Sequence, residues 1–507
     1  LILRLILGDQ CNYHHSWYRQ TDKEVLYLIM EMRQETDYVK HHIQKVTAFF
    51  LCMEQFAEHL KKKGHKVMLL KLNDTDNLHD LQKNIERAVK RFKISKFEYM
   101  YPDEYRLDEQ LNTICTKLNI PFEAFDTEHF YTKRDEVKHF FEGKKQVVME
   151  NFYRHMRKKH GLLMAKDKPE GNRWNFDMEN RKPIPEGMTP PRPLLFSRNA
   201  TAVVKRIRES GVKTFGNINE KDFTWPVNRD DSLNLLKYFC DELLQYYGTY
   251  QDAMTDKSWS LFHSRLSFSL NTKMLSPAEV IEKVIDAGKK QQVDLSQIEG
   301  FVRQILGWRE FLRGIYWWKM PGYRRCNFFR HQRKLPGYFW TAKTKMNCMH
   351  HAIKNSLDHA WAHHIQRLMV TGNFALLAGI HPNDVDAWYL GIYADAIEWV
   401  EITNTRGMSQ YADGGLIATK PYVSSASYIN KMSNYCKDCH YAKSKKTGEK
   451  ACPFNSLYWN FIDTNKEKFT DNRRMKMMLA TWNKMQAEKK SDLLEQAEKY
   501  LNNLEDL

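Results

Sequence analysis

The first 135 residues alternate short apolar runs with amphipathic stretches, and this rhythm restricts the fold more than any other feature of the chain. Leu1 to Leu7, Val25 to Met30, Val67 to Leu72 and Phe97 to Tyr101 have strand length, while Ala48 to Lys62 and Leu78 to Phe92 carry helical spacing. Strand and helix in turn predict a parallel sheet covered by helices, because parallel neighbours need a long crossover between them. Small molecules bind such sheets beyond the carboxyl ends of the strands. Gly8, Asp9 and Gln10 end the first run, Glu31 and Glu35 follow the second, and Tyr101 to Glu104 (YPDE) follow the fourth. These are candidate ligand residues, although ordinary turn and capping chemistry explains the same pattern equally well. The opening LILRLILGDQ is too short to span a membrane, carries Arg4 and has no cleavage-site pattern, so it reads as a buried strand of a cytoplasmic protein.

Residues 136 to 165 read as helical and basic (Arg154, Arg157, Lys158, Lys159), and the Pro-, Gly- and Asn-rich stretch KPEGNRWNFDMENRKPIPEGMTPPRPLLF reads as an interdomain connection. Its length suggests either a functional loop, with Arg173, Trp174, Asp177, Glu179 and Arg181 meeting DNA or a divalent cation, or a passive linker. From Asp231 onward the pattern is helical: Leu233 to Tyr247, Pro277 to Ala287, Ile298 to Tyr316, Cys348 to Val370, Asn383 to Ile397, and two segments after Cys452, with Lys484 to Leu507 as a closing helix. The expected organisation is an α/β domain at 1–135, a basic helix and linker at 136–230 and an all-helical domain at 231–507.

Within that helical half, WAHHIQRLMVTGNFALLAG (Trp361 to Gly379) places paired imidazoles in an apolar segment. Leu357, Trp361, His364 and Leu368 follow steps of four, three and four, which predicts His364 inward and His363 off that face. A histidine on an apolar face is commonly a satisfied core residue. Cysteines sit close by in sequence: Cys348 precedes the segment, and Cys436, Cys439 and Cys452 follow in C-x2-C-x12-C spacing. Four thiolates so placed suit zinc or an iron–sulfur cluster. The other five of the nine cysteines, Cys11, Cys52, Cys115, Cys240 and Cys326, have no motif spacing, so no disulfide framework is expected.

A formal charge of +16 accompanies 27 Phe, 25 Tyr and 13 Trp. Nucleic acid is the natural partner of such a surface, and a generally basic enzyme accounts for the charge equally. HSRLSFSLNTKMLSP (His263 to Pro277) brings Ser264 and Ser267 near a helix start, which suits phosphates. QILGWREFLRGIYWW gathers Gln304, Trp308, Glu310 and Phe311 within two turns, a set that can hydrogen-bond and stack a flat heterocycle or simply pack. DAWYLGIYADAIEWVEITN sets Asp395 and Glu401 among Trp388, Tyr389, Tyr393 and Trp399, where carboxylates are either paired or poised to manage protons.

Together GWREF, the His-His-Ile-Gln-Arg segment with TGNFALLAG, YADAIEWVE, GMSQYADGG, TKPY and the four cysteines resemble the iron–sulfur bacterial cryptochrome and (6-4) photolyase group of the photolyase superfamily. The resemblance runs from GDQ at residue 8 to ACPFN at residue 451. It implies FAD in the helical domain, a 6,7-dimethyl-8-ribityllumazine antenna in the α/β domain and a [4Fe-4S] cluster on Cys348, Cys436, Cys439 and Cys452. Ser264, Leu266, Ser267, Gln304, Arg309 and Asp395 fall in its flavin-binding blocks, and Glu401 falls where the group places a carboxylate near flavin N5. Gly8, Asp9, Gln10, Glu35, Tyr101 and Glu104 become the antenna candidates, and Trp340, Trp388 and Tyr389 match its electron-carrying aromatics. Asp177 and Arg181 correspond to a loop implicated in lesion contact and divalent-cation use, which leaves Mg²⁺ open as a further cofactor.

The implied activity is light-driven repair of (6-4) photoproducts in UV-damaged DNA by an electron from photoexcited reduced FAD, a lyase reaction, with His364 as proton donor. A flipped-out lesion in duplex or single-stranded DNA is the expected substrate, and a cytoplasmic, nucleoid-associated monomer the expected state. Animal (6-4) photolyases have a second histidine four residues on, where this chain has Leu368, so His363, Glu401 or a water would have to serve. The alternative is a blue-light photoreceptor of the same fold with little repair, and a third reading is a metal-stabilised nucleic-acid-binding protein without flavin. The cysteines read as a structural cross-link from the start of the histidine segment to the C-terminal region, with zinc open from spacing alone.

Overall fold

The computed structural model describes residues 1–507. Its amino-terminal part is a five-stranded sheet of β1 (Ile2–Ile6), β2 (Val25–Met30), β3 (Lys66–Leu70), β4 (Lys96–Met100) and β5 (Phe122–Phe125), all parallel, in the order β3-β2-β1-β4-β5. β2 is buried along its whole length, which is why its sequence is continuously apolar and not alternating. Helix α1 (Ile43–Lys62) packs on the face carrying Tyr27 and Ile29. α2 (Leu81–Phe92) and α3 (Tyr105–Lys117) pack on the opposite face with Leu26 and Leu28. The four runs read as strands are strands. β5 has no such run: it is four residues at the sheet edge, with Phe122 49% exposed.

The order reverses direction at β1, so the carboxyl ends of β1 and β4 form the switch point where a crevice opens. Gly8–Gln10 and Tyr101–Glu104 lie there.

Two helices of the connecting region serve different cores. α4 (Met149–His160) buries Phe152, Tyr153 and Met156 in the helical half. α5 (Thr201–Glu209) buries Val203, Val204 and Ile207 against the sheet side, where Arg206 bonds Glu31 at 2.8 and 3.0 Å. Between them the chain is irregular apart from a short antiparallel pair of Met164–Ala165 with Lys168–Pro169 and 3-10 turns at Glu170–Asn172 and Asp177–Glu179.

The remainder is helical. α6 (Ser267–Asn271) leads into α7 (Pro277–Lys290), which starts with a Ser276–Glu279 capping box and proline in its first turn. Four π-helical segments interrupt the α-helices, at Phe239–Leu243, Arg303–Arg309, Gln366–Gly372 and Thr403–Ser409. π-Turns cluster at functional sites because they re-aim the side chains that follow. The last three fall in the GWREF, His-His-Ile-Gln-Arg and GMSQ blocks.

Two helix expectations need correction. The segment expected as one helix from Cys348 to Val370 breaks: α8 (Asn347–His359) ends, Ala360 takes φ +49°, and helix resumes only at His364. Tertiary contacts hold the break, since the Ala360 carbonyl accepts from Ala394 N at 2.9 Å and the Trp361 carbonyl from Asn355 Nδ2 at 3.1 Å. The helical phase is reset, and the inward and outward histidines exchange. His363 is 3% exposed, while His364 is exposed. Likewise α9 (Pro382–Ile392) stops short of the expected Ile397, and a turn over 393–397 precedes α10 (Glu398–Ile402). The closing helix is Ala487–Asn502, tied down by Tyr500 Oη donating to the Ala451 carbonyl at 2.5 Å. No helix is long and apolar enough to cross a membrane.

Candidate functional site

The break at Ala360 creates a cluster of imidazoles. His363 stacks on His263, ring centroids 4.7 Å apart and planes 11° off parallel. Neither ring nitrogen of His363 has a partner, nor does His263 Nε2. Buried polar atoms without partners are rare, and such a set marks a place where a guest is expected to complete the bonding. Burial lowers the His263 pKa to about 3, and pushes His363 well below its ordinary value, with His263, His364 and Arg367 adding repulsion. His364 opens to solvent, yet enough protein surrounds it that desolvation, with Arg367, lowers its pKa to about 4. All three rings are therefore neutral at pH 7. His364, on the open side, is the one an approaching anion can most readily return to the cation.

Arg367, on the π-turn below, makes a bidentate pair with Asp395 at 3.0 and 3.1 Å and lies 3.7 Å over the Tyr393 ring. Ser267 Oγ donates to the same carboxylate at 2.6 Å, and Asn271 Nδ2 donates to the Asp395 carbonyl at 2.5 Å. Arg309 joins this group by donating to Asn271 Oδ1 and, at 3.2 Å, to the Leu270 carbonyl, with Trp399 4.8 Å away across its ring face. Its Nε has no partner. Thus Ser267, Arg309 and Asp395 converge, Ser264 and buried Leu266 lie on the approach to α6, and Gln304 bonds back to the Gly300 carbonyl at 3.2 Å and joins none of them. Glu401 is buried and takes a hydrogen bond from Thr405 at 2.6 Å. Desolvation, then Asp386 and Glu398, hold its carboxyl well above the ordinary range.

At the sheet's switch point a cavity of about 130 Å³ is lined by Gly8, Asp9, Glu35 and Glu104, by Lys45 and His41, and by Met30, Met32, Phe49 and Met53. Ala396 and Ile397 of the helical half complete its wall. The mixture of apolar wall with a few polar groups suits a ring-containing small molecule. Four of the six antenna candidates line it. Gln10 does not: its amide bonds Leu7 N and the carbonyls of Met100 and Tyr101, closing the switch loop. Tyr101 turns outward, 40% exposed, with Arg134 4.7 Å over its ring.

Cys348, Cys436, Cys439 and Cys452 line a single small cavity of about 10 Å³. Burial and the three neighbouring sulfurs raise the Cys348 thiol well above its usual range, so four thiolates here need a cation to coexist. No group of three or more His, Cys, Asp or Glu side chains converges closely enough to share one metal ion.

From the Arg367 pair an aromatic line runs outward. Tyr393 and Tyr389 are 5.6 Å apart, Tyr389 and Trp388 5.2 Å, and Trp388 meets Phe339 at 5.1 Å. Trp340, next to Phe339, lies at the surface, 37% exposed. Far along the same half, Asp177 pairs with Arg181 and, at 3.0 Å, with Arg303. Asp252 shares that neighbourhood, and burial, opposed by Arg181, raises its pKa to about 6.

Sequence reading missed Lys45, Asp252, His263 and Arg367. Of these only His263 and Arg367 stood inside quoted motifs.

A parallel-sheet domain joined to an all-helical domain is also the architecture of two solved structures. One is a cryptochrome of Synechocystis sp. PCC6803 (TM-score 0.60, 14% identity, 85% of this chain and 86% of that one). The other is a bacterial class III photolyase of Agrobacterium tumefaciens (TM-score 0.59, 13% identity, 99% and 98%). The fold is thus that of the photolyases and cryptochromes. A family model described as deoxyribodipyrimidine photo-lyase-related protein matches residues 4–223. A protein of Agrobacterium fabrum (strain C58) named (6-4) photolyase is 40% identical over 506 residues, 99% of each chain, and the chain belongs to that photolyase family.

Proposed function

We propose that this chain is a DNA (6-4) photolyase that uses FAD in the histidine-lined cleft, a lumazine antenna in the switch-point cavity and a [4Fe-4S] cluster on its four cysteines. The observation that carries the reading is His364, open to solvent beside the Arg367–Asp395 pair, where a base flipped out of DNA can reach it. Bound in the cleft, reduced FAD supplies the light-driven electron that the repair reaction requires.

The chain's own groups then have distinct roles. His364 is neutral in the free protein, so it accepts a proton as the anionic lesion and its phosphates arrive, and gives that proton to the group being transferred between the bases. Raising a pKa of about 4 by this route ties the acid to the presence of substrate. His263 and His363 have unpartnered nitrogens free to hydrogen-bond a guest, and Glu401, whose carboxyl burial holds well above the ordinary range, is the candidate proton source in place of the histidine absent at Leu368. The Arg367–Asp395–Ser267 node fixes the cleft wall.

For the four cysteines, sulfurs spread around one cavity suit a four-iron cluster with one thiolate per iron. A single zinc needs all four sulfurs within about 2.3 Å of one centre. In the loop, Asp177 and Asp252 offer carboxylates to Mg²⁺, which would have to displace Arg181.

The test is repair of (6-4)-containing DNA in light by wild type and by His364→Ala, with FAD, iron and acid-labile sulfide measured on both. The expected result is stoichiometric FAD and four irons in both proteins, with repair in wild type alone. Equal repair by the variant would remove His364 from its role.

A further inference from the structure

The switch-point cavity and the histidine cluster, proposed above as the flavin cleft, meet at one turn. The turn over 393–397 presents Asp395 to the cleft, where Ser267 and Arg367 hold its carboxylate, and presents Ala396 and Ile397 to the cavity. The same turn contacts the break before His363, because Ala394 N donates to the Ala360 carbonyl at 2.9 Å.

One side chain from the other domain pins it. Lys45 of α1 is 6% exposed, lines the cavity, and donates to the carbonyls of Leu390 at 2.6 Å and Ala396 at 2.7 Å. An ammonium group buried on two backbone carbonyls is a costly way to join two domains when apolar packing would serve. It is an effective way to fix a turn, since it bonds one carbonyl at the end of α9 and one at the middle of the turn.

We infer that Lys45 is a positioning residue that couples occupancy of the cavity to occupancy of the cleft through the turn over 393–397. The inference rests on the reading of these sites as antenna and flavin sites. Filling the cavity presses on Ala396 and Ile397 and holds the turn in one arrangement. Asp395 then stands ready for the cleft, and the second ligand has less ordering left to accomplish. By linkage the effect is reciprocal. A residue that only glues the domains together would change both affinities without changing their mutual dependence.

Equilibrium dialysis of the full chain gives the Kd for FAD with 6,7-dimethyl-8-ribityllumazine absent and at saturation. In wild type the lumazine is expected to tighten FAD binding by roughly fivefold or more. In Lys45→Met, whatever the change in either Kd alone, the ratio of the two FAD Kd values should fall below about twofold, outside the usual range of site coupling. A wild-type ratio of one, or a variant that keeps the wild-type ratio, overturns the inference. Ile397→Ala, which retains Lys45 but removes a cavity contact of the turn, should lower the ratio in the same direction and serves if Lys45→Met does not fold. Failure of wild type to bind the lumazine at all would instead overturn the antenna reading, and the inference with it.

Discussion

The histidine cleft and the switch-point cavity lie on two sides of one turn, and burial drives both towards neutrality from opposite directions. In the cleft the groups are bases: His263 and His364 fall to pKa values of about 3 and 4, and His363 lies lower than its ordinary range. In the cavity they are mainly acids: burial, with Glu398 and Glu35 against Arg106, holds the Glu104 carboxyl above its ordinary range, and Asp9 is raised by burial beside Asp103 despite Lys273. Neutral bases are reprotonated from solvent when an anionic guest raises their pKa. A carboxyl held up to about 8, as Glu104 is, offers a donor to a neutral ring. The difference supports the proposed placement of a phosphate-bearing partner at the histidines and of an uncharged heterocycle in the cavity.

Loosening the scaffold behind the cleft should break this arrangement most severely. Cys348 sits in the first turn of α8, the helix that leads into His363 and His364, and Cys348→Ala should abolish iron binding and most soluble yield, measured by iron content and gel filtration. His364→Ala should lower light-driven repair about 100-fold or more while FAD content stays at one per chain. Asp395→Asn leaves Arg367 without its buried partner, and should cost about 3 kcal/mol or more of stability in denaturant unfolding together with loss of FAD on gel filtration.

The opposed pKa shifts give a pH prediction of their own. Below about pH 6.5 the unfolded chain protonates histidines that the folded chain keeps neutral, among them His42 and His331 with pKa values of about 4, so stability falls on acidification. The raised carboxyls act the other way. Asp386, lifted to about 7 by burial against the pull of Arg406, and Glu104 keep protons that the unfolded chain has lost, so stability also declines as pH rises through 7 and beyond. Thermal midpoints should peak near neutrality, and a steady rise from pH 5 to pH 9 would contradict the acidic half of the comparison. The smallest effect is expected at the surface end of the aromatic line, where Trp340→Phe should slow flavin photoreduction a few-fold in stopped illumination without changing FAD content.

Most of the fold was legible in the sequence because it rests on periodicity. Four strands, the helices between them and the switch-point loops follow from runs that the sheet and its covering helices bury. β5 was not legible: an edge strand of four residues, FEAF, is too short to show a pattern. The helix break at Ala360 was hidden for the opposite reason. Alanine is a good helix former, no glycine or proline marks the site, and the contacts that hold the break come from Ala394 and Asn355. One unmarked residue therefore exchanged the buried and exposed histidines. Motif blocks located Asp395, Arg309 and Ser267, whereas Lys45 and Asp252 take their meaning from partners far away in sequence and had no local signal.

The central claim is repair of one lesion type in light. Reduced, purified protein would be illuminated with DNA carrying either a (6-4) photoproduct or a cyclobutane dimer, with and without Mg²⁺ and with a dark control. Light-dependent loss of the (6-4) lesion alone is the predicted result. Protein that holds reduced flavin yet repairs neither lesion would contradict the photolyase reading and leave a photoreceptor of the same fold.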